Sequence, residues 1–191
     1  LNYLHIYLER LQGNGERPAH FAATAPALDR YLAQVALRLD ALSQHLSASV
    51  KPHENLLRQG SARAQPEQAT TPAGQIDDVF YEARGSAWAL LHLLRAIEID
   101  FAAVLRDNQA QGELREVIVD LESTQEPIYS PMILNGSGFG LLANHSLVMA
   151  SYIARANAAA VNVRNLLARN AAAAIPAAAN ATSTTTPTTQ D

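Results

Sequence analysis

The sequence predicts an all-α fold: a helical bundle of four to five helices, with two long central helices and a disordered C-terminal tail. Apolar residues recur in steps of four and three over several long stretches, as they do on a helix with one buried stripe. Aromatics make up only 6% of the chain, and alanine fills much of its 48% hydrophobic share. Alanine is the best helix former and a poor strand former. Glycine and proline gather mostly between the periodic stretches, where they break helices.

Leu1, Leu4, Leu8 and Leu11 share one face, and Gly13-Asn14-Gly15 stops that helix. A second helix carries Leu28, Leu32, Val35, Leu39, Leu42 and Leu46 in regular alternation. Thr24 suits its N-cap and Pro26 its first turn. Pro52 ends it near residue 50. Residues 58–75 hold no apolar period and read as a mobile loop.

The third helix, over about 75–108, has the longest stripe: Ile76, Phe80, Ala83, Ala87, Leu90, Leu94, Ile97, Phe101 and Val104. Asp77 and Asp78 sit where the helix dipole favours anions. Glu113 to Gln125 forms a shorter helix with Leu114, Val117, Ile118 and Leu121 on one face. Prolines and glycines then break the chain over 126–140. A last helix runs from about Leu141 to Asn170, with Ala143, Ala150, Ala154 and Ala158 as small packing residues. The reading gives one domain over residues 1–170 and a disordered Ala/Thr-rich tail over 171–191.

A net charge of −4 and a pI near 5.8 give no basic footprint for nucleic acid. With no cysteine, disulfides and thiolate chemistry are excluded. The six histidines are scattered, with no Glu-x-x-His pair and no His-Glu-x-x-His, so no metal and no cofactor is expected. The chain begins at Leu1 with no signal-peptide pattern and contains no apolar run long enough to span a bilayer. It is expected to be a soluble fragment of a longer protein.

Two runs, Phe80 to Phe101 and Ser130 to Ala159, resemble a bacterial family of uncharacterised proteins, domain-of-unknown-function family 2333. Leu121 to Pro127 is similar to the same family. The resemblance implies a bacterial envelope protein held by one transmembrane helix near its N-terminus. This chain would be its C-terminal part, facing the periplasm from the inner membrane, and would meet the membrane only through a segment upstream of Leu1. The resemblance brings no catalytic residues with it.

Two groups of residues have the chemistry of a site. The first is Asn135-Gly136-Ser137-Gly138-Phe139-Gly140, leading to Asn144, His145 and Ser146 at a helix start. A glycine-rich turn exposes backbone N–H groups, and a helix N-terminus attracts anions. Asn135, Gly136, Gly138, Asn144 and His145 are therefore candidate ligand contacts. The spacing fits neither a dinucleotide fingerprint nor a nucleophile elbow. The second is a mixed face of the third helix: Tyr81, Arg84, Trp88, His92 and Arg95. Arg84, His92 and Arg155 could complete an anion site, since arginine forks match carboxylates and phosphates. In structural terms both groups also read as capping, ion pairing and a tight inter-helix loop.

No constellation specifies a reaction. The leading expectation is a non-enzymatic structural or interaction module of the envelope, with an envelope protein as partner. The alternative is a binding domain for a small anionic envelope ligand at 135–146. A hydrolase using His145 with Ser137 or Ser146 ranks last, because neighbouring helical side chains diverge by about 100°.

Overall fold

The computed structural model describes residues 2–11, 23–48, 71–130, 132–136 and 143–181. The described residues fold into α1 (Asn2–Leu11), α2 (Ala25–Ala48), α3 (Ile76–Asp100), α4 (Ala102–Asp107), α5 (Gln111–Ser123) and α6 (His145–Ala181), and no strand forms among them. The sequence-predicted all-α bundle is what the chain forms. The loop expected over 58–75 lies outside the described residues up to position 70, and Ala73–Gln75 winds a 3-10 turn into α3.

Four helical rods build the core, and cross-links between them set their directions. Arg38 of α2 donates to Glu82 and Ser86 of α3, both at 2.9 Å. Arg84 of α3 reaches the Gln125 carbonyl just past α5 at 2.8 Å, while Arg115 of α5 reaches Glu98 of α3 at 2.8 Å. Asn162 and Arg155 of α6 pair with Glu113 and Asp120 of α5. Arg164 of α6 pairs with Asp29 of α2. Each sequence neighbour therefore runs antiparallel to the last, and α6 closes the ring against α2. This is up-down-up-down topology. Such exposed pairs add little stability each, but they fit only one arrangement of the helices.

Thr24 caps α2 as expected: its carbonyl accepts from the Ala27 and Leu28 N–H groups, and its hydroxyl is 3.4 Å from the Ala27 N–H. The α2 stripe is buried throughout, and so are the four apolar residues expected on α5. α3 and α4 form one rod over the span expected for a single helix. Phe101 leaves helical geometry at φ −103°, ψ 17°, yet the i to i−4 bonds continue through it to Leu105.

The buried side of this rod differs from the expected stripe. Leu91 and Leu105 are buried, whereas Leu90 and Val104 are only partly so. A strict 3.5-residue stripe drifts by about 20° per heptad on a straight helix. The true stripe therefore takes two successive steps of four, from Ala83 to Ala87 to Leu91.

The chief packing partner of both α2 and α5 is α6 rather than α3. Ala150, Ala156, Ala159 and Ala160 are buried, and Met149, Ile153, Val163 and Leu167 share that side. Ala143, Ala154 and Ala158, expected at the interface, are exposed. The alanines give no orientation signal of their own, because both faces of α6 carry them. The helix continues past Asn170 to Ala181, through an alanine run with high helix propensity. Residues 182–191 of the expected tail lie outside the described residues.

Gln109 ends α4 in the left-handed region at φ 56°. The Ala110 N–H donates to the Leu105 carbonyl at 2.8 Å and the Gln109 N–H to that of Arg106 at 3.0 Å, which is a Schellman closure. Left-handed backbone costs a non-glycine residue roughly 1–2 kcal/mol. Gln109→Gly should therefore raise stability by up to about 1 kcal/mol in urea unfolding. In the adjacent pair on α3, Leu94→Ala should cost about 2–5 kcal/mol. Leu93→Ala should cost within about 0.5 kcal/mol, because Leu94 is 0% exposed and Leu93 53%.

Candidate functional site

The N-terminus of α6 is clasped by the segment before it. Asn135 and Asn144 form an isolated antiparallel bridge. The His145 N–H donates to the Leu134 carbonyl at 2.8 Å, and the Leu134 N–H returns a bond to His145 Nδ1 at 2.9 Å. The Ser146 N–H donates to Asn135 Oδ1 at 3.2 Å, and the Leu147 N–H to Asn144 Oδ1 at 2.9 Å. Asn144 Nδ2 donates to the Gly136 carbonyl at 2.6 Å, and the Gly136 N–H to that of Ala143 at 2.9 Å. Asp77 extends the clasp to the start of α3 by accepting from the Ile133 N–H at 3.2 Å.

This arrangement is an N-cap built by Asn144 with help from Asn135. The donors of the first turn, which would otherwise face an incoming anion, are held by Leu134, Asn135 and Asn144. His145 accepts at Nδ1, so its ring acts here as a structural acceptor, set edge-on to Phe80 with centroids 6.5 Å apart. Gly138 lies outside the described residues. One group in the clasp is unmatched: Ser146 is fully buried and its hydroxyl has no hydrogen-bond partner.

The other candidates are placed elsewhere. Arg84 and Gln125 bind each other's backbone carbonyls across the α3–α5 seam, at 2.8 and 3.1 Å. Arg155 sits about 15 Å along α6 from His145, at ~1.5 Å per residue. It binds Asp120 at 2.6 and 3.0 Å and lies over the Tyr152 ring at 4.6 Å. The hydrogen bond to Asp120 holds its guanidinium further toward the charged form. His92 is exposed and meets Trp88 edge-on at 4.4 Å.

The structure thus brings Asn135, Gly136, Asn144 and His145 together and sets Arg84, His92 and Arg155 apart from them. Asp77, Asp120 and Gln125, the partners that anchor these groups, carry no periodicity that would single them out. A shallow open groove near the C-terminal half of α6 is lined by Glu113, Asn162, Asn165, Leu166 and Arg169, far along the helix from the clasp. Among the described residues no three His, Asp or Glu side chains converge as a metal set. No helix among them is long and apolar enough to cross a membrane.

A model of the family described as an uncharacterised protein conserved in bacteria (DUF2333) matches residues 1–170. The chain belongs to that family. It matches no curated protein and no solved structure. The family match takes in every helix from α1 through most of α6, so clasp and bundle alike lie within the DUF2333 region.

Two features of the DUF2333 bundle set its response to mutation and pH. Asn144→Ala removes the cap and should cost about 0.5–2 kcal/mol in urea unfolding, whereas the exposed Arg155→Ala should leave the midpoint unchanged. The Tyr31 hydroxyl of α2 is buried without a partner, and burial pushes its phenol up from the usual 10.0. Its folded value lies above its unfolded one. That contribution to stability is therefore present at neutral pH and is lost as pH rises through the folded value. Tyr31→Phe should be neutral or stabilising at pH 7, and should move alkaline unfolding, followed by circular dichroism, to higher pH.

Proposed function

We propose that the domain is a non-enzymatic interaction module of the bacterial envelope, the part outside the membrane of a membrane-anchored protein. One observation carries the interaction reading: the outward face of α3 holds Tyr81, Trp88 and Ile99 at 56%, 56% and 76% exposure, on a rod already anchored to α2 and α5. Aromatic residues presented on a rigid element suit partner capture. The polar candidates, by contrast, bind one another and the backbone. The envelope context is supported by the resemblance of the Phe80–Phe101 and Ser130–Ala159 runs to anchored envelope proteins.

A photoreactive residue placed at position 88 or 99 in the living bacterium tests this reading. Adducts with a protein of the envelope are expected from those positions, with few from the far side of the bundle at Gln34. If 88 and 99 yield no adduct, or if a turnover activity is abolished by a single polar substitution, the reading fails.

A second reading, an anionic-ligand site over 135–146, is favoured by the unpartnered Ser146 hydroxyl beneath the clasp. Thermal shift against phosphate, carboxylates and cell-wall fragments separates the two. Stabilisation lost in Ser146→Ala would favour the ligand, and a flat panel would remove it.

A further inference from the structure

The outward face of α3 has a pattern that the core does not require. Tyr81, Gly85, Trp88, His92, Arg95 and Ile99 follow one another in steps of four and three, and all are exposed. The buried stripe runs along the opposite side of the same rod through Phe80, Ala83, Ala87, Leu91 and Leu94. The helix thus has two stripes, and only one is covered by the bundle.

The uncovered stripe is self-complementary. Tyr81 and Ile99, Gly85 and Arg95, and Trp88 and His92 are three pairs sharing one midpoint, at residue 90. A second α3 laid antiparallel across that midpoint places Tyr81 opposite Ile99, Gly85 opposite Arg95, and Trp88 opposite His92, and each relation holds in both directions. Reciprocity of this kind is what a twofold interface demands.

The pairings also fit by size. Gly85 has no atom within 4 Å of where a Cβ would lie, so its place on the helix is an open notch between Tyr81 and Trp88. Arg95 supplies the matching knob. Its guanidinium is fixed by Glu122 of α5, which leaves the aliphatic stem along the face. A mid-helix glycine is unfavourable relative to alanine, and nothing inside the bundle uses the missing Cβ.

Charge points the same way. Asp77 and Asp78 lie at the N-terminal end of the rod, and Arg106 lies exposed at the far end. An antiparallel copy sets the acidic end of each rod on the basic end of the other. Glu82 and Asp100 lie further round the helix than the stripe, toward α2, and Glu82 is held by Arg38.

We infer that the outward α3 face binds a second copy of this chain, antiparallel, with Gly85 receiving Arg95 and Trp88 meeting His92 across the twofold. This rests on the interaction-module reading and names the partner of the same face. One helix pair buries little, below ~1,200 Å², so the dimer is weak and forms at ~micromolar concentration.

Sedimentation equilibrium of the 191-residue chain tests this. A concentration-dependent monomer–dimer equilibrium is expected. Gly85→Leu fills the notch without meeting any atom of its own bundle, so it should weaken association at least tenfold and keep the helical circular dichroism. Asp78→Arg should weaken it as well, and adding Arg106→Asp to that variant should restore it. A chain that stays monomeric to about 1 mM, a free-energy limit near −4 kcal/mol, overturns the inference. So does a Gly85→Leu variant that dimerises like the parent. In-cell adducts at position 88 with a different envelope protein, from a chain that stays monomeric, would sink the dimer and leave the interaction module standing.

Discussion

The bundle depends on how closely α6 approaches its two neighbours. Ala150, Ala156, Ala159 and Ala160 are buried along it, and small side chains let helix axes come to the short end of the usual 8–10 Å range. The bulk is supplied from the other side by Leu28, Leu32, Leu39 and Leu42 of α2 and by Leu114, Val117 and Leu121 of α5. Large residues on two helices thus interlock with small ones on a third. Enlarging an alanine in this seam would push α2 and α5 apart together, which makes α6 the element least tolerant of added volume.

Polar chemistry in this chain mostly serves that architecture. Asparagines 135 and 144 and His145 secure the start of α6, and Asp77 ties the same knot to α3. The arginines span seams: Arg38 joins α2 to α3, Arg95 and Arg115 join α3 to α5, Arg155 joins α6 to α5, and Arg164 joins α6 to α2. Exposed pairs of this kind contribute little energy, but like-charged or shifted arrangements would be disfavoured, so they select one order of helices. A sequence motif rich in glycine, asparagine and histidine can therefore look like a ligand site while its groups bind one another.

Fold class and helix positions were legible because periodicity reports burial directly. The stripes of α2 and α5 and the Thr24 cap could be read residue by residue. The α3 stripe was legible as a direction but not in detail, since the drift between 3.5 and 3.6 residues per turn moved burial from Leu90 to Leu91 and from Val104 to Leu105. The face of α6 was not legible: alanine occurs all round it and marks no side. The grouping of candidate site residues failed for a related reason. Helical spacing says which residues share a face, but not which neighbour that face meets. It could not foresee that Asp120 would take Arg155, or that Gln125 would take Arg84.

What remains after core, clasp and seams are accounted for is the outward stripe on α3. It is rigid, aromatic, symmetric about residue 90 and covered by nothing in its own bundle. Trp88 is the only tryptophan in the chain and stands at the centre of that stripe, so its emission reports on this face alone. The most direct measurement is the accessibility of Trp88 to a soluble quencher as protein concentration rises. The account predicts that quenching falls and the emission shifts to the blue as a second copy covers the ring. Equal quenching at all concentrations, with an unchanged spectrum, would contradict it.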